Sequence, residues 1–234
     1  MKTVIIVNAD DFGYSRGINR GIVEAHDLGI VTSASLMINA PQAREAIELA
    51  RDRAGLSLGI HVNFTNEGER LVEFTDPEQC RAGLERQLDA FCQLVGRPPT
   101  HLDSHQHVHR GTTPRPIFRE LARQYGIPLR DEPPVIFKGG FYGQWEYGVS
   151  DPEKLSVAFL SRMLREEFTG GIYELCCHPG HFDAAASFVY HHDRELELRT
   201  LTDPRIRDVL TETGMRLIGF QDLPAVLDEL GHVG

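Results

Sequence analysis

The segment from Thr3 to Gly13, TVIIVNADDFG, determines the fold that we predict for this chain. Its run of β-branched apolar residues is typical of a strand that is buried on both faces. The run ends at Asn8 and two adjacent carboxylates, Asp10 and Asp11. Because ligands bind at the carboxyl ends of strands in α/β proteins, two acidic side chains here suit a metal ion or a general base. A helix cap or a tight turn is the alternative interpretation.

Strand and helix patterns alternate about seven times along the chain. Further strands are predicted at 30–38, 56–64, 100–103, 127–130, 172–177 and 216–219. Helices are predicted at 18–28, 41–51 and 223–230, and after the capping pairs Asp76-Pro77, Thr113-Pro114, Asp151-Pro152 and Asp203-Pro204. This order requires a parallel sheet with helical cover. The even spacing favours a single-domain α/β fold over residues 1–234, an irregular (β/α) barrel of about seven parallel strands that is TIM-barrel-like.

Composition limits the partners of the chain. A net charge of -10 argues against nucleic acid and against an anionic membrane surface. The first apolar run leads directly into two aspartates, unlike a secretory signal, and the four cysteines form no C-x-x-C pair. We therefore expect a cytoplasmic protein with buried free thiols, and the sequence leaves a homodimer open.

Two long connections interrupt the alternation, at 131–150 and 179–193. Both are rich in aromatic residues, and the first contains four glycines. Long irregular segments in a compact domain usually form lids or binding loops. Their aromatic side chains are predicted either to stack on sugar rings or to pack on the rim of the barrel.

Histidines cluster at two further strand ends. His61 lies in GIHVNFT, and the segment 101–109, HLDSHQHVH, contains His101, Asp103, His105, His107 and His109. Two imidazoles and one carboxylate would leave open coordination positions, as a hydrolytic metal site requires. Alternation along a strand prevents all of these groups from reaching one ion. Some must orient the ligands instead, and the sequence does not say which.

Two other strand-end residues have more than one interpretation. His178, in CHPG, is either a turn residue or part of the site. Arg130 is predicted to bind a substrate anion or to hold a carboxylate in place, with a solvated strand-end arginine as the alternative.

The segments NADDFG, GIHVNFT, THLDSHQHVH and CHPG, in this order, resemble the signatures of the YdjC-like carbohydrate deacetylase family, which includes chito-oligosaccharide deacetylases. The resemblance implies a (β/α) barrel and metal-dependent hydrolysis of N-acetyl groups on amino sugars. It also implies that Asp11, His61 and His105 bind the metal. Asp10 would be the general base and His178 the general acid.

The resemblance implies magnesium, whereas ligand softness favours zinc or a neighbouring transition ion. The segment 65–75 is shorter than expected for chito-oligosaccharide deacetylases, which weakens the transfer of their particular substrate. Two other functions stay open. One is a metal-dependent phosphoesterase on a similar barrel, with His107 and His109 as additional ligands. The other is a carbohydrate-binding protein without turnover.

Overall fold

The computed structural model describes residues 2–66, 69–146, 148–184 and 190–231. Its main sheet has seven parallel strands: β1 (Thr3–Phe12), β2 (Ser33–Leu36), β3 (Ser57–Val62), β4 (Leu102–Ser104), β5 (Val135–Lys138), β6 (Gly171–Cys177) and β7 (Arg216–Leu217). The α-helices are α1 (Arg16–Asp27), α2 (Ala43–Arg51), α3 (Pro77–Val95), α4 (Pro114–Tyr125), α5 (Val157–Glu167), α6 (His191–Leu201), α7 (Pro204–Glu212) and α8 (Leu223–Glu229).

Shorter elements decorate this framework. In the described part of the chain, three 3-10 helices span His105–Arg110, Pro152–Leu155 and Phe220–Asp222. Two small antiparallel pairs join Thr65–Asn66 with Glu69–Arg70 and Gln144–Glu146 with Val149–Ser150. Within the described ranges, no helix combines the length and the apolar character needed to cross a membrane.

Strand β1 is the centre of the sheet. The strand order is β4-β3-β2-β1-β6-β5, and β7 pairs with Val4 and Ile5 at the start of β1. The sheet curls into a half-barrel whose outer strands are β4 and β5. An isolated parallel bridge joins Leu102 of β4 to Leu129, which lies outside the named strands. The predicted α/β barrel class is confirmed, in an open form.

The apolar run of β1 serves two cores, which explains why it has no polar alternation. Ile5 and Val7 face the large core beneath the helices. Val4 and Ile6 face a smaller cluster that includes Val226 of α8. A strand with apolar neighbours on both faces must be continuously apolar, as predicted.

The structure corrects several predicted elements. Residues 127–130 form no strand, although Pro128 and Arg130 each share a hydrogen bond with Leu102. The predicted connection 131–150 contains strand β5 instead. Helix α6 was not predicted, and it begins inside the predicted connection 179–193, of which residues 185–189 lie outside the described part. Asp76 and Asp203 cap helices as predicted, whereas Thr113 and Asp151 make no side-chain cap hydrogen bond.

Replacing Asp203 with alanine should lower the free energy of unfolding by about 1 kcal/mol. The Asp203 carboxylate accepts the backbone N–H of Arg205 in the first turn of α7. Denaturant unfolding measures the loss, and Asp203→Asn, which keeps an acceptor, should recover most of it.

The matched control is Thr113→Ala. Thr113 occupies the same position before α4, but its side chain makes no cap hydrogen bond. We expect a change of less than about 0.5 kcal/mol. Equal losses at the two positions would contradict the assignment of the caps.

Candidate active site

The two aspartates of β1 lie at a β-bulge. The register of β1 against β2 shifts between Ala9 and Phe12, and Asp11 has a φ of 68°, in the left-handed region. Adjacent residues of a regular strand point to opposite faces, but a bulge can re-aim a side chain. Asp10 and Asp11 consequently both line one cavity of about 290 Å³.

Asp11, His61 and His105 converge in this cavity. One potential ligand atom from each residue lies within 4.8 Å of the other two. Asp11 Oδ1 is 3.4 Å from His61 Nε2 and 3.1 Å from His105 Nδ1. The three residues come from the ends of β1, β3 and β4, so the parallel sheet brings together side chains that are distant in sequence.

The orientation of His61 is set by its neighbour across the sheet. His61 and Asp103 are paired in register, and His61 Nδ1 donates to Asp103 Oδ1 at 2.7 Å. This leaves Nε2 facing Asp11, the arrangement in which a carboxylate orients a metal-binding imidazole. Burial lowers the pKa of His61, but the carboxylates of Asp10 and Asp103 outweigh burial and raise it to about 10. The site thus favours positive charge, and a bound cation would replace the imidazole proton.

His105 is directed into the cavity by an unusual turn. The two residues after it, Gln106 and His107, have φ values of 51° and 53°, which kinks the 3-10 helix. His105 Nε2 is buried, and within the described residues it has no hydrogen-bond partner. Two imidazoles with one carboxylate fit a divalent cation and leave coordination positions for water and substrate.

The other polar groups of 101–109 take different roles. Asp103 orients His61, and Ser35 Oγ donates to Asp103 at 2.6 Å. His101 bonds to the same hydroxyl, whereas His109 bonds to Ser104. These contacts hold the strand ends together. Of the four side chains that the sequence left open, His107 is the one that lines the cavity.

Arg130 is buried, with 3% of its surface exposed. Its Nη1 and Nη2 donate to the two oxygens of Asp10, each at 2.7 Å. Its Nε donates to Glu174 at 2.8 Å, and Nη2 is 2.8 Å from Asp103. The interpretation of Arg130 as a substrate-binding residue is therefore corrected, because its guanidinium is occupied by protein carboxylates. The alternative, in which it holds a carboxylate in place, agrees with these contacts.

His178 lies opposite the aspartates, with Nε2 3.9 Å from Asp10 Oδ2. The buried carboxyl of Glu197 accepts its backbone N–H, and Glu197 Oε1 is 3.9 Å from His178 Nδ1. Tyr190 donates its hydroxyl proton to Glu197 at 2.8 Å. Burial lowers the pKa of His178 to about 4 and raises the pKa of Glu197 to about 8. At neutral pH, the proton of this pair therefore lies on Glu197.

Helix α6 contributes groups that the sequence did not reveal. Arg194 donates to Asp11 Oδ2 at 2.5 Å and to the carbonyl of His178 at 3.3 Å. Arg194 and Glu197 are three residues apart on α6, so one face of the helix reaches both Asp11 and His178. Tyr190, the residue before the helix, continues this face. The buried positions of α6 include Asp193, Arg194, Glu197 and Thr200. Because this buried face is polar, the sequence shows no helical repeat of apolar residues there. The helix-forming composition of the segment was the only indication of a helix.

The fold and the site together define an α/β half-barrel protein with a histidine and aspartate cluster at the carboxyl ends of its strands. The model of the YdjC-like protein family matches residues 4–212. The chain belongs to this family, which confirms the resemblance seen in its motifs. A chitooligosaccharide deacetylase of Serratia marcescens is 34% identical and aligns with 95% of this chain and 100% of its own length. A carbohydrate deacetylase of Geobacillus stearothermophilus is 36% identical and aligns over 95% and 98%.

Solved structures share the architecture. A protein of Enterococcus faecalis V583 that is provisionally named for cellobiose-phosphate cleavage superposes with a TM-score of 0.80 at 26% identity. The superposition covers 95% of this chain and 99% of that one. A family 4 carbohydrate esterase of Streptomyces lividans has a TM-score of 0.56 at 14% identity, over 92% and 91% of the two chains. At that identity the likeness concerns the fold alone.

Replacing Arg130 with methionine should destabilise the metal-free protein by about 3–5 kcal/mol, because buried carboxylates lose their counter-charge. Without Arg130, burial holds the pKa values of these carboxyl groups above their unfolded values. The folded state then binds more protons, so the stability of the variant should fall as pH rises from about 5 to 8. Thermal unfolding in chelator across this range measures the effect.

Arg53→Met provides the control for this experiment. Arg53 pairs with Asp27 at 2.7 Å near the surface, where the two side chains are 23% and 41% exposed. Such pairs contribute less than about 1 kcal/mol. A pH-independent loss in the Arg130 variant, or a loss no larger than that of the control, would contradict the charge balance described for the site.

Proposed function

We propose that this protein is a metal-dependent hydrolase that removes N-acetyl groups from amino sugars or short N-acetylglucosamine oligosaccharides. One observation carries the proposal: Asp11, His61 and His105 converge in a cavity that Asp10 and His178 also line. The names of the Serratia and Geobacillus relatives support the same substrate class. We extend the proposal to the whole chain as one catalytic domain.

In this proposal Asp11, His61 and His105 hold one divalent cation. When bound, that ion would polarise the acetyl carbonyl and lower the pKa of water. Magnesium follows from the family resemblance. The two imidazoles favour zinc or another transition ion, so zinc is the alternative.

Asp10 is the proposed general base. Arg130 holds both of its oxygens, and Asn8 donates to Oδ1 at 2.9 Å, which fixes the carboxylate next to Asp11. These contacts, with burial opposing them, hold the pKa of Asp10 well below its usual range. Asp10 thus stays ionised at any working pH. Its contribution is a fixed position, from which it takes the proton of the attacking water.

His178 is the proposed general acid for the leaving amine. Since it is neutral at neutral pH, the proton it delivers must be replaced from a neighbour. Glu197 is the neighbour that carries one, and it also holds the backbone of His178. As the amine departs, Nε2 would donate to it while Nδ1 takes up the proton of Glu197, a transfer that requires the two groups to close from 3.9 Å to hydrogen-bond distance.

The cavity suits one N-acetylated sugar ring. Its volume of about 290 Å³ is at the small end for ligand sites. Tyr142 stacks on Tyr190 with centroids 4.8 Å apart and, like Phe137, lines the cavity from the predicted connection 131–150. Aromatic faces next to polar donors are compatible with a sugar, in agreement with a binding role for this connection.

Replacing Asp10 with asparagine should reduce acetate release by about 10²–10⁴-fold, because the amide cannot accept a proton. The assay screens N-acetylglucosamine monomers and oligomers with metal-stripped protein refilled by magnesium, zinc or other ions. Elemental analysis should show that Asp10→Asn still binds one metal ion, whereas Asp11→Asn does not.

The same screen separates the other functions. Release of inorganic phosphate from sugar phosphates, with two ions per chain, would favour a phosphoesterase. Sugar binding without acetate release from any N-acetylated sugar, in the unmodified protein, would favour a binding protein. Either result would overturn the proposed deacetylase.

Replacing Glu197 with glutamine should remove the basic limb of the pH profile. In the unmodified protein, kcat should fall as pH rises through about 8, where Glu197 loses its proton. The variant should be slower, by about 10²-fold, and its kcat should not decline near pH 8. Asp193→Asn is the control, because Asp193 lies on the same helix but contacts Ser150. A basic limb that persists in Glu197→Gln would refute the proton supply.

A further inference from the structure

A second group of potential metal ligands lies on the other side of Asp10. It consists of Asp10, Cys176 and His178, whose potential ligand atoms lie within 4.8 Å of one another. The Cys176 thiol donates to Asp10 Oδ2 at 3.4 Å, and His178 Nε2 is 3.9 Å from the same oxygen. All three residues line the cavity, so the group can be reached from it.

These distances resemble the edges of a coordination tetrahedron. Metal bonds of about 2.3 Å to sulfur and 2.0–2.1 Å to nitrogen or oxygen place ligand atoms about 3.4–3.6 Å apart. The contact between Cys176 and Asp10 already matches this spacing at 3.4 Å. The other two pairs, at 3.9 Å and within 4.8 Å, need side-chain movements of up to about 1 Å to reach it. The open cavity supplies the fourth position.

The register of the sheet explains why one of two adjacent cysteines belongs to this group. Cys176 pairs with Asn8 on β1, and its neighbour Cys177 pairs with Ala9. Because adjacent strand residues face opposite ways, Cys177 belongs to the core beneath the helices and donates to the carbonyl of Asn8. The thiol of Cys176 faces the catalytic cavity.

We infer that Asp10, Cys176 and His178 form a second, inhibitory site for a soft divalent cation such as Zn²⁺ or Cd²⁺. On binding, a sulfur–metal bond forms and the thiol proton leaves to solvent, while Asp10 Oδ2 and His178 Nε2 supply lone pairs. No group is oxidised or reduced. Magnesium prefers oxygen ligands and has little affinity for thiolate, so we do not expect it to bind at this site.

Inhibition rests on the proposed function, because the cation would occupy the base and the acid together. Binding itself does not depend on that function. Arg130 Nη1 lies 2.7 Å from the same oxygen, Asp10 Oδ2, and opposes a second cation. This second site should therefore bind metal more weakly than the site formed by Asp11, His61 and His105. Metal binding at the second site should be seen as loss of activity when metal is in excess.

Cadmium titration tests the inference, since a cadmium–thiolate bond has an ultraviolet charge-transfer absorption. The unmodified protein and Cys177→Ser should both develop this absorption and release a proton, and Cys176→Ser should lack the corresponding increment. In the deacetylase assay, each variant is compared with its own activity without cadmium. Cys176→Ser should need about tenfold more cadmium for half-inhibition, because one of three protein ligands is lost.

Cys176→Ala, checked by thermal unfolding, replaces the serine variant if buried serine disturbs folding. The inference is overturned if the unmodified protein gains no thiolate absorption, or if the Cys176 variants retain it in full. Absorption with unchanged activity in an active enzyme would refute the inhibitory role alone. A protein without deacetylase activity would refute the proposed function, and the absorption and proton release would still decide the metal site.

Discussion

The β-bulge at Asp10 and Asp11 is the constraint on which the rest of the site depends. In a regular strand, one of these carboxylates would face the cavity and the other would face the helices. The register shift against β2 and the left-handed conformation of Asp11 direct both into the same cavity. Aspartate tolerates this conformation better than most residues. The proposed metal ligand, Asp11, and the proposed base, Asp10, can therefore be adjacent in sequence and still face one cavity.

Two buried arginines, Arg130 and Arg194, fix the positions of the Asp10 and Asp11 carboxylates. Arg130 forms ion pairs with Asp10, Asp103 and Glu174. Arg194 donates to Oδ2 of Asp11. Asp11 Oδ1 is left facing the two imidazoles. Neutralising several carboxylates in a dry environment is costly unless each is paired, which explains why both cations are almost fully buried. The same pairing orients the site before any ligand enters.

Sequence patterns predicted those features that depend on local chemistry. Burial on both faces of β1 follows from its β-branched run, and Asp203 followed by proline is a local cap. The motif resemblance implied that Asp11, His61 and His105 lie around one metal ion. In the structure their potential ligand atoms lie within 4.8 Å of one another. The role of Arg130 could not be read locally, because its partners come from β1, β4 and β6. Helix α6 has a polar buried face, so an apolar period could not reveal Arg194 or Glu197.

The proposed active site requires that one cation bind between strand ends that the bulge and the parallel sheet bring together. A crystal structure grown with Zn²⁺ or Mn²⁺ and recorded at the absorption edge of that metal tests it most directly. We predict a strong anomalous peak bonded to Asp11, His61 and His105, with Asp10 facing the same cavity. A peak bound elsewhere, or carboxylates of Asp10 and Asp11 on opposite faces of β1, would contradict the account.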